Sequence, residues 1–219
     1  MKDIVILGTG GNCLDIIDAI NEINKDKETY RCIGFLDDNQ EKWGKKFLNI
    51  EVIGPLNIAQ NLGNSCFFVN GIGSQRNFFR RNKIIQDTHI PLNRFETIIH
   101  PTASVSETAQ IGKGVVILQN VTIASNVKIG HQVMVLPNSV ISHDDFIDDY
   151  TCITGGVCIS GGVKVGKSCY LGTNSSIIED ITIGDQSLIG MGSVVLSDVK
   201  ENSVMVGSPA SFLRKTTNE

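Results

Sequence analysis

No run of 18 apolar residues occurs in the 219-residue chain, so no segment is long and apolar enough to cross a bilayer as a helix. The first residues read directly as a structural strand, so no cleavable leader is expected and the expected location is cytoplasmic. Basic residues are not in excess. Nineteen Lys and Arg stand against 23 Asp and Glu, a net charge of −4, which argues against a general surface for nucleic acid or anionic membrane. The six cysteines (Cys13, Cys32, Cys66, Cys152, Cys158, Cys169) form no CxxC pair and no Cys/His zinc spacing. Without an export signal they are expected to be reduced, mostly buried thiols. Histidine is scarce too. Of His89, His100, His131 and His143, at most two suit a shared site, where a three-histidine metal centre needs one more, so no metal is expected.

What is abundant is a period. From Val105 to Val195 every sixth residue is Ile, Val or Leu, sixteen in succession. Neither a helix (period 3.6) nor a single strand (period 2) produces that spacing. It is the pattern of a parallel β-helix, in which each hexad forms one side of a triangular prism and three hexads close a coil. The sixteen hexads therefore make a little over five coils. The residue four places after each aliphatic one is usually small or β-branched, as at Val115, Val127, Val163 and Ser187. Glycines gather just after the aliphatic position (Gly112, Gly130, Gly166, Gly172), where a corner is expected to need conformations that a side chain resists.

The first hundred residues follow another pattern. Residues 2–7 (KDIVIL) read as a strand, Gly8-Thr-Gly-Gly11 as a turn, residues 12–23 as an amphipathic helix, and residues 31–36 as a second strand ending in Asp37-Asp38. A third strand at 66–70 runs through Gly71-Ile-Gly73 into a basic helix expected over 74–86. Strand, glycine turn, helix, strand and acid outline a small Rossmann-like βαβ unit, whose helix start offers backbone N–H groups to a phosphate or a polar sugar edge. The third glycine of a full GxGxxG is Cys13, and about 95 residues is little room for a redox dinucleotide. A smaller nucleotide-bearing ligand is favoured over NAD. Asp37 and Asp38 either contact the hydroxyls or base of that ligand or simply form a turn. Arg76, Arg80 and Arg81 either approach a phosphate or lie on a solvated helix face, the second being favoured. Pro101 marks the entry to the first coil, so the expected domains are 1–99 and 100–219, with residues 204–210 as a closing loop.

A prism packed with aliphatic side chains has no interior site, so chemistry must lie on an outer surface. His143 sits in the unusually polar segment Ile141-Ser-His-Asp-Asp-Phe146. Asp144 beside it is suited to hold one imidazole tautomer and raise its basicity. Asp145 takes the position that is elsewhere small or aliphatic. His131 lies two hexads earlier, on a different side of the prism. The paired glycines at 155–156 and 161–162 either let a long ligand lie flat on the backbone or serve corner geometry.

Taken together, the hexapeptide run, Ile-Ser-His-Asp at 141–144, Val206-Gly-Ser-Pro-Ala210, Leu7-Gly-Thr-Gly-Gly11 and Phe35-Leu-Asp-Asp38 resemble the sialic-acid O-acetyltransferases and bacillosamine-type nucleotide-sugar N-acetyltransferases, over nearly the whole chain. The resemblance implies a left-handed β-helix, a homotrimer, acetyl-CoA in the groove between adjacent prisms, and a nucleotide-linked amino sugar held by the N-terminal domain. It places His143 as general base with Asp144 supporting it. It places Cys152, Gly161 and Thr173 at acetyl-CoA, and Gly10, Gly11, Asn12, Asp37 and Asp38 at the nucleotide sugar. Two departures stand out. Asn12-Cys13 replaces the His-Gly common in the glycine turn, and Cys152 stands where some members carry a second histidine. The expected activity is acetyl-CoA-dependent N-acetylation of a nucleotide-linked 4-amino-4,6-dideoxy sugar. The alternatives are O-acetylation of a sugar such as sialic acid and a non-catalytic nucleotide-sugar-binding trimer.

Overall fold

The computed structural model describes residues 1–63 and 65–216. The N-terminal unit is a five-stranded sheet of β1 (Lys2–Leu7), β2 (Tyr30–Leu36), β3 (Lys46–Phe47), β4 (Ile50–Gly54) and β5 (Cys66–Asn70), in the order β3-β4-β2-β1-β5. β1 runs parallel to both β2 and β5. α1 (Gly11–Asp26) crosses between β1 and β2 and buries Cys13, Ile16, Ile17, Ala19 and Ile20, the apolar stripe that its sequence predicts. β3 and β4 form an antiparallel hairpin that the sequence reading omits.

The expected basic helix over 74–86 is not continuous. Asn77 accepts hydrogen bonds from the Ser74 N–H (2.8 Å) and hydroxyl (3.0 Å), a local side-chain turn that competes with helix. Helical structure resumes as a short 3-10 turn at Phe78–Arg80 and then α2 (Arg81–Gln86).

The rest is a left-handed parallel β-helix of two-residue strands. Face 1 stacks Ser104–Val105, Thr122–Ile123, Val140–Ile141, Cys158–Ile159, Ser176–Ile177 and Val194–Val195. Face 2 stacks Gln110–Ile111 through Thr182–Ile183. Face 3 stacks Ile98–Ile99 through Leu188–Ile189 and is closed by Ser203–Gly207 and Ala210–Lys215. The periodic aliphatic residues form one continuous buried core with the small residues four places on. Face 3 begins at Ile98, one hexad before the run starting at Val105, so the prism begins ahead of Pro101, its expected entry. The expected closing loop is an antiparallel hairpin.

The corners work differently from the sequence expectation. At every sixth position from Gly114 to Gly192 the backbone is left-handed, with Asn, Asp, Gln, Ser, Tyr or Gly there; Asn and Asp tolerate this best among residues with side chains. The glycines after the aliphatic positions serve close approach instead. A Cβ on Gly172 would lie 2.6 Å from the Ile189 carbonyl oxygen of the next coil.

Face 3 seats the N-terminal unit. Its outward residues Ile98, Val116, Met134 and Cys152 are buried in one cluster with Ile4, Ile6, Ile16 and Ile20. Buried Arg81 joins the two units, its Nε donating to the Ile72 carbonyl and its Nη1 to the Tyr150 carbonyl, both at 2.6 Å. The expectation of a solvated Arg81 therefore fails, because the guanidinium is spent on two backbone acceptors. Met134→Asp would bury an unpaired charge in this seam, at a cost of several kcal/mol. Limited proteolysis between residues 87 and 97 should accelerate at least several-fold, while the prism keeps its β-structure by circular dichroism.

Candidate active site

The C-terminal ends of β1, β2 and β5 meet at one edge of the N-terminal sheet, the place where open α/β sheets receive ligands. A cleft of about 340 Å³ there is lined by Gly8, Asp37, Asp38, Leu56, Asn77 and Arg80 among others. Asp37 accepts hydrogen bonds from the Thr9 hydroxyl and the Asn39 N–H (2.9 Å) and pairs with Lys42 at 3.0 Å. Burial alone would raise its carboxyl, but these donors outweigh it and hold it below the usual carboxylate range. Asp38 accepts from the Leu56 N–H at 2.9 Å.

Beside the cleft α1 follows the N-cap residue Gly10, with no side-chain cap and no acid in its first turn. A Cβ on Gly10 or Gly11 would meet nothing within 4 Å, so these glycines leave open space over the helix N-terminus. Asn12 points elsewhere. Its Nδ2 donates to the Gly73 carbonyl at 2.9 Å, tying the two glycine loops together.

His143 and Asp144 lie at the corner between faces 1 and 2. Asp144 is one of the left-handed corner residues (φ 63°). His143 Nδ1 lies 2.9 Å from Asp144 Oδ2, and Asn126 from the preceding coil donates to Oδ1 at 3.1 Å. The bonds from His143 and then Asn126 hold the Asp144 carboxyl below its ordinary value. With Nδ1 facing a carboxylate, the neutral ring carries its proton on Nδ1 and leaves Nε2 as an acceptor. The ring lies over Gly161 of the next coil, where a Cβ would fall 2.5 Å from Cε1 and 2.7 Å from Nε2. A cleft of about 430 Å³ opens here, lined by His143, Asp144, Ser160, Gly161, Gly162, Glu179 and Asp180. His131 does not join it. At the corner between faces 2 and 3, its Nδ1 accepts the Lys113 N–H at 2.9 Å.

Thr173 lies at the remaining corner, exposed in a cleft of about 480 Å³ that includes Ser74, Arg76, Tyr170 and Met191. One chain therefore groups His143, Asp144 and Gly161 at one corner and leaves Thr173 at another. Cys152 departs from the expectation that it meets acetyl-CoA. It is an outward residue of face 3 covered by the N-terminal unit, and a Cβ on Gly73 would sit 2.8 Å from its sulfur. Burial pushes the thiol up, with Arg81 opposing. Such a sulfur is a core thiol and is not presented to a bound thioester. The described residues contain no group of three or more His, Cys, Asp or Glu able to hold a metal ion.

Comparison with known proteins bears on the fold of both units. Residues 3–87 match the PglD N-terminal domain, and residues 108–143 and 162–197 match the bacterial transferase hexapeptide repeat. The two matches fall one on each unit, the second being the repeat of bacterial hexapeptide transferases. The acetyltransferase domain of PglB from Neisseria gonorrhoeae shares the fold at 24% identity, with a TM-score of 0.85 over 97% of this chain and 100% of that one. PerB from Caulobacter crescentus, solved with CoA and GDP-perosamine, superposes with a TM-score of 0.81 at 25% identity over 98% of both chains. Sequence relatives match locally: the bifunctional protein GlmU of Lawsonia intracellularis is 40% identical over 53 residues, 12% of its length. A putative acetyltransferase of Staphylococcus aureus is 38% identical over 55 residues, 28% of its length. The chain thus spans under a third of these curated relatives.

The sequence already marked the histidine turn, whereas Thr9 and Lys42, which fix Asp37, went unmarked. Their only signal is position, one in the glycine turn and one just after the acids. Gly161→Ala tests the floor under the ring. The added methyl must displace the imidazole, and a displacement near 1 Å is expected to lower turnover about 10- to 100-fold, with circular dichroism unchanged.

Proposed function

We propose that this protein is an acetyl-CoA-dependent N-acetyltransferase acting on a nucleotide-linked amino-deoxysugar, of the 4-amino-4,6-dideoxy type. The observation that carries the reading is the His143–Asp144 pair, 2.9 Å apart with the imidazole lining an open cleft. The superposition on PerB, a protein solved with CoA and GDP-perosamine, supports the choice of substrates.

The protonated sugar amine first gives its extra proton to solvent, since only the neutral amine has a lone pair with which to attack. Nε2 of His143 accepts a proton from the nitrogen as it bonds to the thioester carbonyl carbon, and Asp144 stabilises the resulting imidazolium. The C–S bond breaks and CoA leaves as thiolate. The Gly161 N–H, beside the ring, makes no hydrogen bond among the described residues and is available to the developing oxyanion.

The nucleotide sugar occupies the cleft at Gly10, Gly11, Asp37 and Asp38, with its diphosphate over the uncapped start of α1. The acyl donor lies along the Thr173 cleft. Arg76 supplies a cation there, and Tyr170 and Met191 supply apolar surface for the pantetheine arm. Because Thr173 and His143 occupy different corners of one prism, the site is complete only where two prisms lie side by side. That requirement supports a homotrimer.

His143→Ala and His143→Asn remove the base. Each is expected to lower kcat by about 10²- to 10⁴-fold without changing the trimer mass by size-exclusion chromatography with light scattering. A loss below about tenfold contradicts the role of His143.

A further inference from the structure

Asp145 has no part in the chemistry above, yet it is the least expected residue of its corner. Its equivalents one coil before and one coil after are Val127 and Val163, both fully buried in the prism core. Asp145 is 1% exposed. Its Oδ1 accepts the Val163 N–H at 2.8 Å, and its Oδ2 is buried without any hydrogen-bond partner.

Elsewhere in the prism the same position serves that bond with a neutral hydroxyl. Thr151 accepts the Cys169 N–H at 3.0 Å, and Ser187 the Ser203 N–H at 3.3 Å. A hydroxyl needs no charge to do this. A carboxylate placed here would leave one oxygen ionised and unsolvated. The charged groups around it do not make a buried partner. His143 and Asp144 are on its own turn and are exposed, and Lys128 and Lys164, from the coils before and after, line the outer cleft with it.

We propose that Asp145 is a positioning residue held as a neutral carboxylic acid, which pins the turn carrying His143 and Asp144 to the next coil and releases that turn when it ionises. Burial as the leading cause pushes its carboxyl up to about 7, against hydrogen bonds from Val163 and Ser142, so the change falls within the working pH range. The inference rests on His143 being the base.

Asp145→Asn keeps the shape and the acceptor for Val163 but cannot ionise. Comparing it with the wild type cancels the titration of the substrate amine and of His143. Two readouts are expected. Between pH 6 and pH 8.5 the ratio of wild-type to variant kcat falls at least about tenfold, as the neutral fraction drops to a few per cent above a pKa of about 7. In the absence of substrates, the Tm of the variant rises relative to the wild type as pH increases from 4 to 7, then runs parallel. The sign follows from the folded chain keeping a proton that the unfolded chain, at the model value of 3.8, has already lost.

A kcat ratio constant across this range overturns the positioning role. A Tm difference constant across this range overturns the neutral buried acid. His143→Ala run in parallel separates the two readings, since full activity there removes the base while the Tm comparison still reports on Asp145.

Discussion

Each hexad must bury one aliphatic side chain and then turn a corner through a left-handed residue, and the rest of the molecule depends on that constraint. Burying the side chains from Ile117 to Val195 in one column forces the backbone into two-residue strands. The left-handed residues from Gly114 to Gly192 keep every coil in register with the next. A register this strict brings residues eighteen apart in sequence into contact. It sets Gly161 under His143 and Asn126 beside Asp144. The histidine turn keeps its register because the coils on either side of it cannot slide.

The second organising contact is the apolar seam on face 3. Val116, Met134 and Cys152 point outward, yet they are buried because α1 and the loop after β5 cover them. The same seam fixes where the nucleotide-sized cleft stands relative to the prism. Arg81 pins it with two carbonyl acceptors and no carboxylate, which makes the junction directional as well as apolar. Residues of the loop over 74–76 then complete the cleft around Thr173. One face of the prism thus serves both stability and the placement of ligand surfaces.

Much of this was legible in the sequence where the signal is local or strictly periodic. The column of aliphatic residues, the strand-turn-helix at residues 2–23 and the His143–Asp144 pair are of that kind. The pair touches because the residues are adjacent and the corner conformation turns both side chains outward. The seat of the N-terminal unit is also written in the sequence, as an eighteen-residue apolar period at Val116, Met134, Cys152, Tyr170 and Leu188, hidden beneath the stronger six-residue one. Other features depend on tertiary contacts that no spacing reveals. Arg81 looks like one of several surface arginines until Tyr150 is brought to it. Cys152 looks like a ligand residue until Gly73 covers it. The broken helix over 74–86 turns on the two hydrogen bonds that the Asn77 side chain accepts from Ser74. The corner glycines were recognisable as necessary, but the reason is the neighbouring coil rather than their own φ.

The central claim is that the exposed His143–Asp144 corner and the cleft at the N-terminal sheet edge serve one acyl transfer. The most direct test follows thiol release from acetyl-CoA with UDP-, dTDP- and GDP-linked 4-amino sugars, each beside its 4-hydroxy counterpart, with free sialic acid included. The account predicts rapid release with one nucleotide-linked amino sugar and none with its hydroxyl counterpart. Release only with sialic acid, or tight nucleotide-sugar binding with no release from any acceptor, would contradict it.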